Sequence, residues 1–357
     1  MANRPLFCMG VRWMPSARFK GWHRFHDPRT DAFEYEGVKM KQYWTAAHIP
    51  DLRDKVAIVT GASNGVGFEI ARQLASHGAR VVMASRNLER TKHAAHLIKE
   101  MDGGAQVEAH QLDLGDLVSV RSFASLFLRN FTALDILINN AGISGGPRRT
   151  TADGFEVNFL VNYLGHFALT GLLLPALITQ KSRVVSTSSD IASSGKINFD
   201  DLQSQHKYGF IAAYAQAKLA NLLFAFELDR RCREAGTGIA SFATNPGVVT
   251  SNIFQNKEAD WGRPRNTTEN LLRFVQKMLA LPAEKGALPA LYQATAPSAR
   301  SDEYVVGGKR PKSGHPSVGK IPPRALDHTT AERLWQVSER LTDVRFEPIL
   351  ESRTVRS

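Results

Sequence analysis

The sequence has little cysteine: two residues in 357, Cys8 and Cys232, far apart. Neither lies at a metal-ligand spacing. So few thiols exclude a disulfide-stapled fold and fit a reducing, cytoplasmic setting. A long apolar run is also missing. Phe167–Ile178 is shorter than the roughly 18 residues that a membrane span needs, and Pro175 interrupts it. The eleven histidines form no HExxH-type cluster, so no metal is expected. His93 and His96, at helical spacing among Lys and Arg, read as a solvated face. The basic, aromatic N-terminus lacks a continuous apolar region with a small-residue cleavage site, so it does not read as a secretory signal.

Acidic residues are in the minority, 34 against 45 Lys and Arg, giving +11. The excess collects in flanking or loop-like segments: Arg4, Arg12, Arg18, Lys20, Arg24 and Arg29 near the start, and Lys309, Arg310, Lys312, Lys320 and Arg324 near the end. Solvated ends explain this better than a nucleic-acid footprint, so no nucleic-acid partner is expected.

What is present is enough apolar residue, 43%, for a full core. Residues 1–49 read as an N-terminal extension, 50–307 as the main domain and 308–357 as a C-terminal loop and helix. In the first segment Trp13, Phe19, Trp22, Phe25 and Phe33 recur without periodicity. Two readings stand for residues 1–39: an appendage that docks on the domain or a membrane surface, or codons upstream of a true start at Met40. The composition leans to the second.

From Lys55 onward, short apolar runs alternate with amphipathic stretches. Strands are expected at Val56–Val59, Arg80–Ala84, Gln106–Leu112, Leu134–Asn139, Arg183–Ser188, Gly238–Thr244 and Glu303–Val306. Helices are expected after Gly65, then over Leu88–Met101, Leu117–Phe131, Asn158–Thr179, Tyr214–Glu234, Thr268–Leu281, Ala283–Ala294 and Thr330–Leu341. The alternation predicts an α/β fold, a doubly wound central parallel sheet in a single domain, with a C-terminal substrate-covering extension.

The first strand runs into Thr60-Gly61-Ala62-Ser63-Asn64-Gly65-Val66-Gly67. Glycines there allow a sharp turn and close approach to a pyrophosphate, and the following helix offers N–H groups and its positive end. Between a buried strand and an amphipathic helix, this turn predicts a dinucleotide site. The second strand ends in Ser85-Arg86, without the Asp or Glu that would hold a ribose 2′-hydroxyl. Arg86 can pair instead with a 2′-phosphate, so NADP(H) is expected over NAD(H). Asp113, with Leu114, and Asn139-Asn140-Ala141-Gly142 follow the third and fourth strands, where ligands bind in open α/β sheets.

Tyr214 and Lys218 are four apart and share a helix face. A free tyrosine, with a pKa of about 10, is a poor base at neutrality; a nearby ammonium would lower that value. Ser188 and Ser189 end the preceding strand, where a hydroxyl can hydrogen-bond a reacting oxygen.

Thr60–Gly67 (TGxxxGxG), Asn139–Gly142 (NNAG), Tyr214–Lys218 (YxxxK) and Asn245-Pro246-Gly247, in this order, resemble the short-chain dehydrogenase/reductase family over about residues 50–307. The resemblance implies a Rossmann fold and a hydride transfer between nicotinamide and an alcohol or carbonyl carbon. It implies Tyr214 as general acid–base, Lys218 on the nicotinamide ribose, Ser189 orienting substrate (Ser188 if the register is off by one) and Asn162 completing a proton relay. Gly61, Ser63, Asn64, Gly65, Val66, Gly67, Arg86, Asp113, Leu114, Asn140, Ala141, Gly142, Pro246, Gly247, Val249 and Thr250 would line the cofactor. The serine-to-tyrosine gap of 25 residues is long. Tyr208 inside it is an alternative tyrosine, but position 212 is Ala, not Lys.

Asn162-Tyr163-Leu164-Gly165-His166-Phe167, Lys218–Phe224 and Leu334-Trp335 resemble a narrower group, the retinol dehydrogenase/WW-domain oxidoreductase-like branch with its bacterial members and the protochlorophyllide reductases. That implies an apolar alcohol, aldehyde or ketone as substrate, peripheral contact with membranes, and homo-oligomers built through the helices of Asn162 and Tyr214. Phe254 and Trp261 are equally an apolar lid or simple loop packing. Reduction of a conjugated C=C bond, and a non-enzymatic NADP(H)-binding protein, remain as alternatives.

Overall fold

Backbone hydrogen bonding and burial on both faces shape the sheet at the centre of this computed structural model. It describes residues 43–179, 181–249, 280–307 and 314–347, and the backbone of 32–35 and 38–41. The N-terminal unit, Met1–Gln42, holds an antiparallel hairpin of Ala32–Tyr35 and Val38–Lys41.

In the second unit, from Tyr43 on, the strands are β1 (Val56–Thr60), β2 (Arg80–Ser85), β3 (Val107–Gln111), β4 (Ile136–Asn139), β5 (Arg183–Thr187), β6 (Ala240–Asn245), β7 (Tyr304–Gly307) and β8 (Pro316–Val318). They form one sheet in the order β8-β7-β6-β5-β4-β1-β2-β3, parallel except for edge strand β8. The order reverses between β1 and β4, so the chain diverges there and leaves a crevice at the strand ends. The sequence alone assigns the β8 residues to loop; a three-residue edge strand with Pro316 has too little pattern to read.

Each face of the sheet buries one apolar stripe of helix. Helices α1 (Gly65–Ser76), α2 (Leu88–Met101) and α6 (Ala283–Thr295) cover Val59, Val81, Met83 and Ile138 with Ile70, Leu74, Ile98 and Leu291. Helices α3 (Leu117–Asn130), α4 (Gly165–Leu172), α5 (Phe210–Ala235) and α7 (His328–Thr342) cover the other face, which includes Ile58, Leu137 and Val184. Side chains stop and start these helices as polar caps should. Asn87 accepts from Arg90 N at 2.9 Å, Asp116 from Val118 N at 2.8 Å, and α5 ends on Gly236 at φ 68°.

The helix expected over Asn158–Thr179 is broken. An α segment, Val157–Phe159, passes into a π-helical stretch, Leu160–Leu164, before α4 begins, and a short helix, Leu174–Leu177, follows separately. Pro175 at the start of that short helix lacks an N–H to continue the ladder. The π stretch holds Asn162 and widens the helix at that point. Helix α5 starts four residues earlier than expected, at Phe210 rather than Tyr214, so both its site residues sit inside regular helix.

The segment after residue 313 packs back on the core. Trp335 of α7 stacks on Phe224 at 5.8 Å and meets Phe167 and Phe346 at 5.3 and 4.5 Å between centroids. Tyr163 Oη and Ser338 Oγ are 2.8 Å apart. Helix α7 thus braces the backs of the helices that carry Asn162 and Tyr214. The residues 268–279 of one expected helix lie outside the described residues; Leu281 instead bridges to Val249.

Candidate active site

The C-terminal ends of β1, β4, β5 and β6 converge beside the N-terminus of α5. At the end of β1 the chain turns through Gly61 at φ 68°, where a side chain would be strained. Gly67 lies so close to this turn that a Cβ would meet Gly61 O and come within 2.6 Å of Asn140 Nδ2. Asn140 Nδ2 donates to Thr60 O at 2.9 Å. The N-cap of α1, Asn64, makes no side-chain capping bond, which leaves the first-turn N–H groups available to an anion. A narrow backbone cradle at a helix N-terminus fits a dinucleotide pyrophosphate.

Farther along this rim, Arg86 is exposed just past β2. Asp113 holds its own turn, accepting from Gly115 N at 2.9 Å while its N–H donates to Ser119 Oγ at 3.0 Å. Leu114, expected beside the cofactor, is buried at 4% exposure, and its carbonyl and Cβ pack against Gly165. Its side chain belongs to the apolar core on that face of the sheet. Ser63 is half-buried in the turn. Val66 and Val249 come together over Gly286, where a Cβ would collide with Val249 and lie 3.1 Å from Val66 Cγ2. Pro246 is half-buried, and Gly247 N donates to Asn245 Oδ1 at 2.9 Å. Asn245 Nδ2 donates to Asp190 Oδ1 at 2.8 Å, clasping the loops after β5 and β6. Thr250, Phe254 and Trp261 lie outside the described residues.

At the centre, the Ser189 hydroxyl lies near enough to the Tyr214 phenol to favour its ionised form. Lys218 is buried; its Nζ donates to Thr187 O at 3.1 Å and lies 5.7 Å from the Tyr214 ring centroid. Gly142 faces the same point: a Cβ there would lie 3.4 Å from Lys218 Nζ and 2.6 Å from Asn162 Oδ1. Asn162 is fully buried and clamps the next residue of that loop, accepting from Ile143 N and donating to Ile143 O, both at 3.0 Å. It also donates to Asn158 O at 2.8 Å.

The two alternative residues from sequence are bonded elsewhere. Ser188 Oγ donates to Lys218 O at 2.7 Å, so its hydroxyl anchors α5. Tyr208 donates to Gly146 O at 3.2 Å and accepts from Asn158 Nδ2 at 3.3 Å, tying down the inserted loop.

The electrostatics differ from the simple expectation. Burial pushes the Tyr214 phenol up to about 12, opposed by the nearby Ser189 hydroxyl, and burial brings Lys218 down to about 8. Lys218 Nζ donates to Thr187 O and is itself penalised by desolvation. The resting tyrosine is therefore a proton donor.

The sequence assigns Thr60 only to the opening of the turn and His166 only to a motif. In the structure both are buried at the heart of the site, with Thr60 Oγ1 and His166 Nε2 3.0 Å apart. The available signal was a lone histidine inside the apolar run Leu164–Leu169. Among the described residues no group of acidic, histidine or cysteine side chains is placed to hold a metal.

Comparison with known proteins agrees with this geometry. A family model described as short chain dehydrogenase matches residues 55–261. Retinol dehydrogenase 12 of Homo sapiens is 40% identical over 302 residues, spanning 83% of this chain and 89% of the relative. Polyprenol dehydrogenase of Homo sapiens is 35% identical over 302 residues, 83% of this chain and 87% of the relative. A crystal structure of an uncharacterized protein from Mycobacterium paratuberculosis is 37% identical, covers 85% of this chain and 99% of its own, and matches with a TM-score of 0.69. By family model, by identity over most of its length and by fold, this chain is an oxidoreductase that belongs to the short-chain dehydrogenases, in their retinol dehydrogenase-like branch.

Proposed function

We propose that the protein is an NADP(H)-dependent oxidoreductase for an apolar alcohol or its aldehyde or ketone, with Tyr214 as general acid–base. The observation that carries this reading is the buried Lys218, its Nζ 5.7 Å from the Tyr214 ring centroid, with the Ser189 hydroxyl near the same phenol. When bound, the reduced nicotinamide supplies a hydride to the carbonyl carbon. Tyr214 Oη gives its proton to the carbonyl oxygen and is left as phenolate. Ser189 holds that oxygen by hydrogen bond, and the Lys218 ammonium offsets the phenolate charge. In the oxidative direction the same groups take the proton back.

Lys218, through Nζ, would also hold the nicotinamide ribose, and Asn162 fixes the backbone of Ile143 beside it. Gly61, Ser63, Asn64, Gly65, Val66 and Gly67 form the pyrophosphate cradle. Asp113, Asn140, Ala141 and Gly142 line the adenosine side, and Pro246, Gly247 and Val249 the nicotinamide side. Arg86 supports the phosphorylated cofactor: it stands at the end of β2, where an acidic residue would select the bare ribose. The apolar substrate is supported by relatives named for retinol and polyprenol. Among the described residues no helix is long and apolar enough to cross a membrane; peripheral contact with a lipid surface to collect substrate is part of this reading.

The test is titration of the purified protein with NADPH and NADH, followed by turnover of apolar aldehydes and ketones. Tight NADPH, weak NADH and turnover abolished in Tyr214→Phe are expected. Preference for NADH would overturn the role of Arg86, and unchanged turnover in Tyr214→Phe would overturn the mechanism.

A further inference from the structure

His166 is almost fully buried, 2% exposed, between two backbone-anchoring elements. Its Nδ1 is 3.2 Å from Asn162 O and its Nε2 is 3.0 Å from Thr60 Oγ1. A carbonyl only accepts, so Nδ1 carries the hydrogen; the neutral ring then leaves Nε2 as an acceptor. The hydrogen it accepts is that of the Thr60 hydroxyl. That hydrogen has two acceptors within reach, His166 Nε2 at 3.0 Å and Ile138 O at 3.2 Å, and the imidazole is the nearer. The oxygen of Thr60 meanwhile accepts from Asn140 N at 2.9 Å and Ala141 N at 3.0 Å. Every hydrogen-bonding position of that hydroxyl is used.

These bonds close a ring. Thr60 holds the amides of Asn140 and Ala141, and Asn162 holds Ile143 at both N and O. His166 joins Thr60 to Asn162. Gly142 lies inside the ring and faces Lys218 Nζ. Along one side the bonds all run in one direction: Ala141 N–H to Thr60, Thr60 O–H to the imidazole, imidazole N–H to Asn162 C=O. Such a chain is mutually polarising. Burial, helped by the charge of Lys218, drives His166 down to about 3, so the ring stays neutral throughout the working range.

We propose that His166 is a positioning residue: its neutral imidazole, bridging Thr60 and Asn162, sets the depth of the Asn140–Ile143 loop against Lys218 and so the register of cofactor and acid–base. The proposal rests on the reading of this crevice as a dinucleotide pocket, but its physical core, the bridge, is testable without turnover.

The experiment is a double-mutant cycle in the full-length protein with Thr60→Val and His166→Leu, read by urea unfolding, NADPH affinity and kcat. The bridge predicts that the double variant is clearly less destabilised than the sum of the singles. It also predicts kcat reduced about ten- to a hundredfold in His166→Leu, the cost of leaving buried partners unpaired, with a smaller loss of NADPH affinity. Two gentler variants separate positioning from filling. His166→Asn keeps an N–H for Asn162 O, and His166→Gln keeps an acceptor for Thr60. If the link needs both ends, both stay well below wild-type kcat. Additive unfolding energies, or a folded His166→Leu with wild-type kcat, would overturn the proposal. Absence of turnover in the wild-type protein would instead sink the oxidoreductase mechanism, while the unfolding cycle would still decide the bridge.

Discussion

The two halves of the crevice are built from different materials. On the β1–α1 side, the groups that line the crevice are backbone: the turn through Gly61, the close approach at Gly67 and the open N-terminus of α1. On the other side they are side chains, the half-buried Ser189 and Tyr214 and the buried Lys218 and Asn162, the last two held by specific partners. A backbone cradle is sensitive to added volume. A side-chain constellation is sensitive to lost atoms. The difference predicts opposite signatures for mutations only a few residues from the crevice.

The largest expected effect is on the side-chain half. Removing the Tyr214 hydroxyl with Phe takes away the proton donor but no shape, so turnover should fall about 10²- to 10⁴-fold, the usual span for an acid–base group. NADPH affinity, measured by fluorescence quenching, should stay near wild type. A parallel loss of binding would mean that Tyr214 belongs to the cradle, and the comparison would break.

On the backbone half the reverse holds. Gly67→Ala adds one methyl group, which must displace Gly61 O or the Asn140 amide. Overpacking of this kind costs about 1–3 kcal/mol, or roughly ten- to a hundredfold in affinity. NADPH binding should weaken by that amount, while turnover at saturating cofactor stays closer to wild type. Arg86→Ala should act more narrowly still. It should weaken NADPH by about tenfold, as for one charge-assisted hydrogen bond, and leave NADH unchanged, as read by parallel titrations.

The same division explains what could be read from sequence. The cradle was legible because glycine has a specific backbone use in such a turn, and because the expected strand–turn–helix context formed around it. Tyr214 and Lys218 were legible as a pair four apart. The π stretch around Asn162 was not, because Leu160–Leu164 has the apolar pattern of ordinary helix and the break arises from tertiary bonding of Asn162 to Ile143. The role of Thr60 was hidden for a similar reason. A hydroxyl at a strand end has no pattern of its own, and its partners come from β4 and α4, 78 to 106 residues away. Strand β8 and the aromatic brace around Trp335 were missed or underweighted because both depend on where the chain returns, not on local periodicity.

The smallest effect sharpens the comparison through pH, since the side-chain half buries two bases and the cradle buries none of its contacts as charge. Lys218 has its ordinary value of 10.5 brought to about 8 by burial. Between those limits the unfolded chain holds a proton that the folded chain releases, so stability rises with pH across that window. His166 is displaced from 6.5 to about 3, again chiefly by burial. Its contribution is fully present above pH 6.5 and is lost as pH falls toward 3, by at most about 1.4 kcal/mol per pH unit. Lys218→Met should therefore flatten the rise in unfolding free energy between pH 8 and 10. Thr187 O would remain paired in that variant, because Asn221 Nδ2 also donates to it at 3.0 Å. His166→Leu should flatten the acid side between pH 6.5 and 5 and leave the alkaline side alone. Urea titrations at a series of pH values read both slopes. If either variant kept the wild-type slope in its own window, that base would not be buried as described, and the side-chain half would be wetter than its hydrogen bonds require.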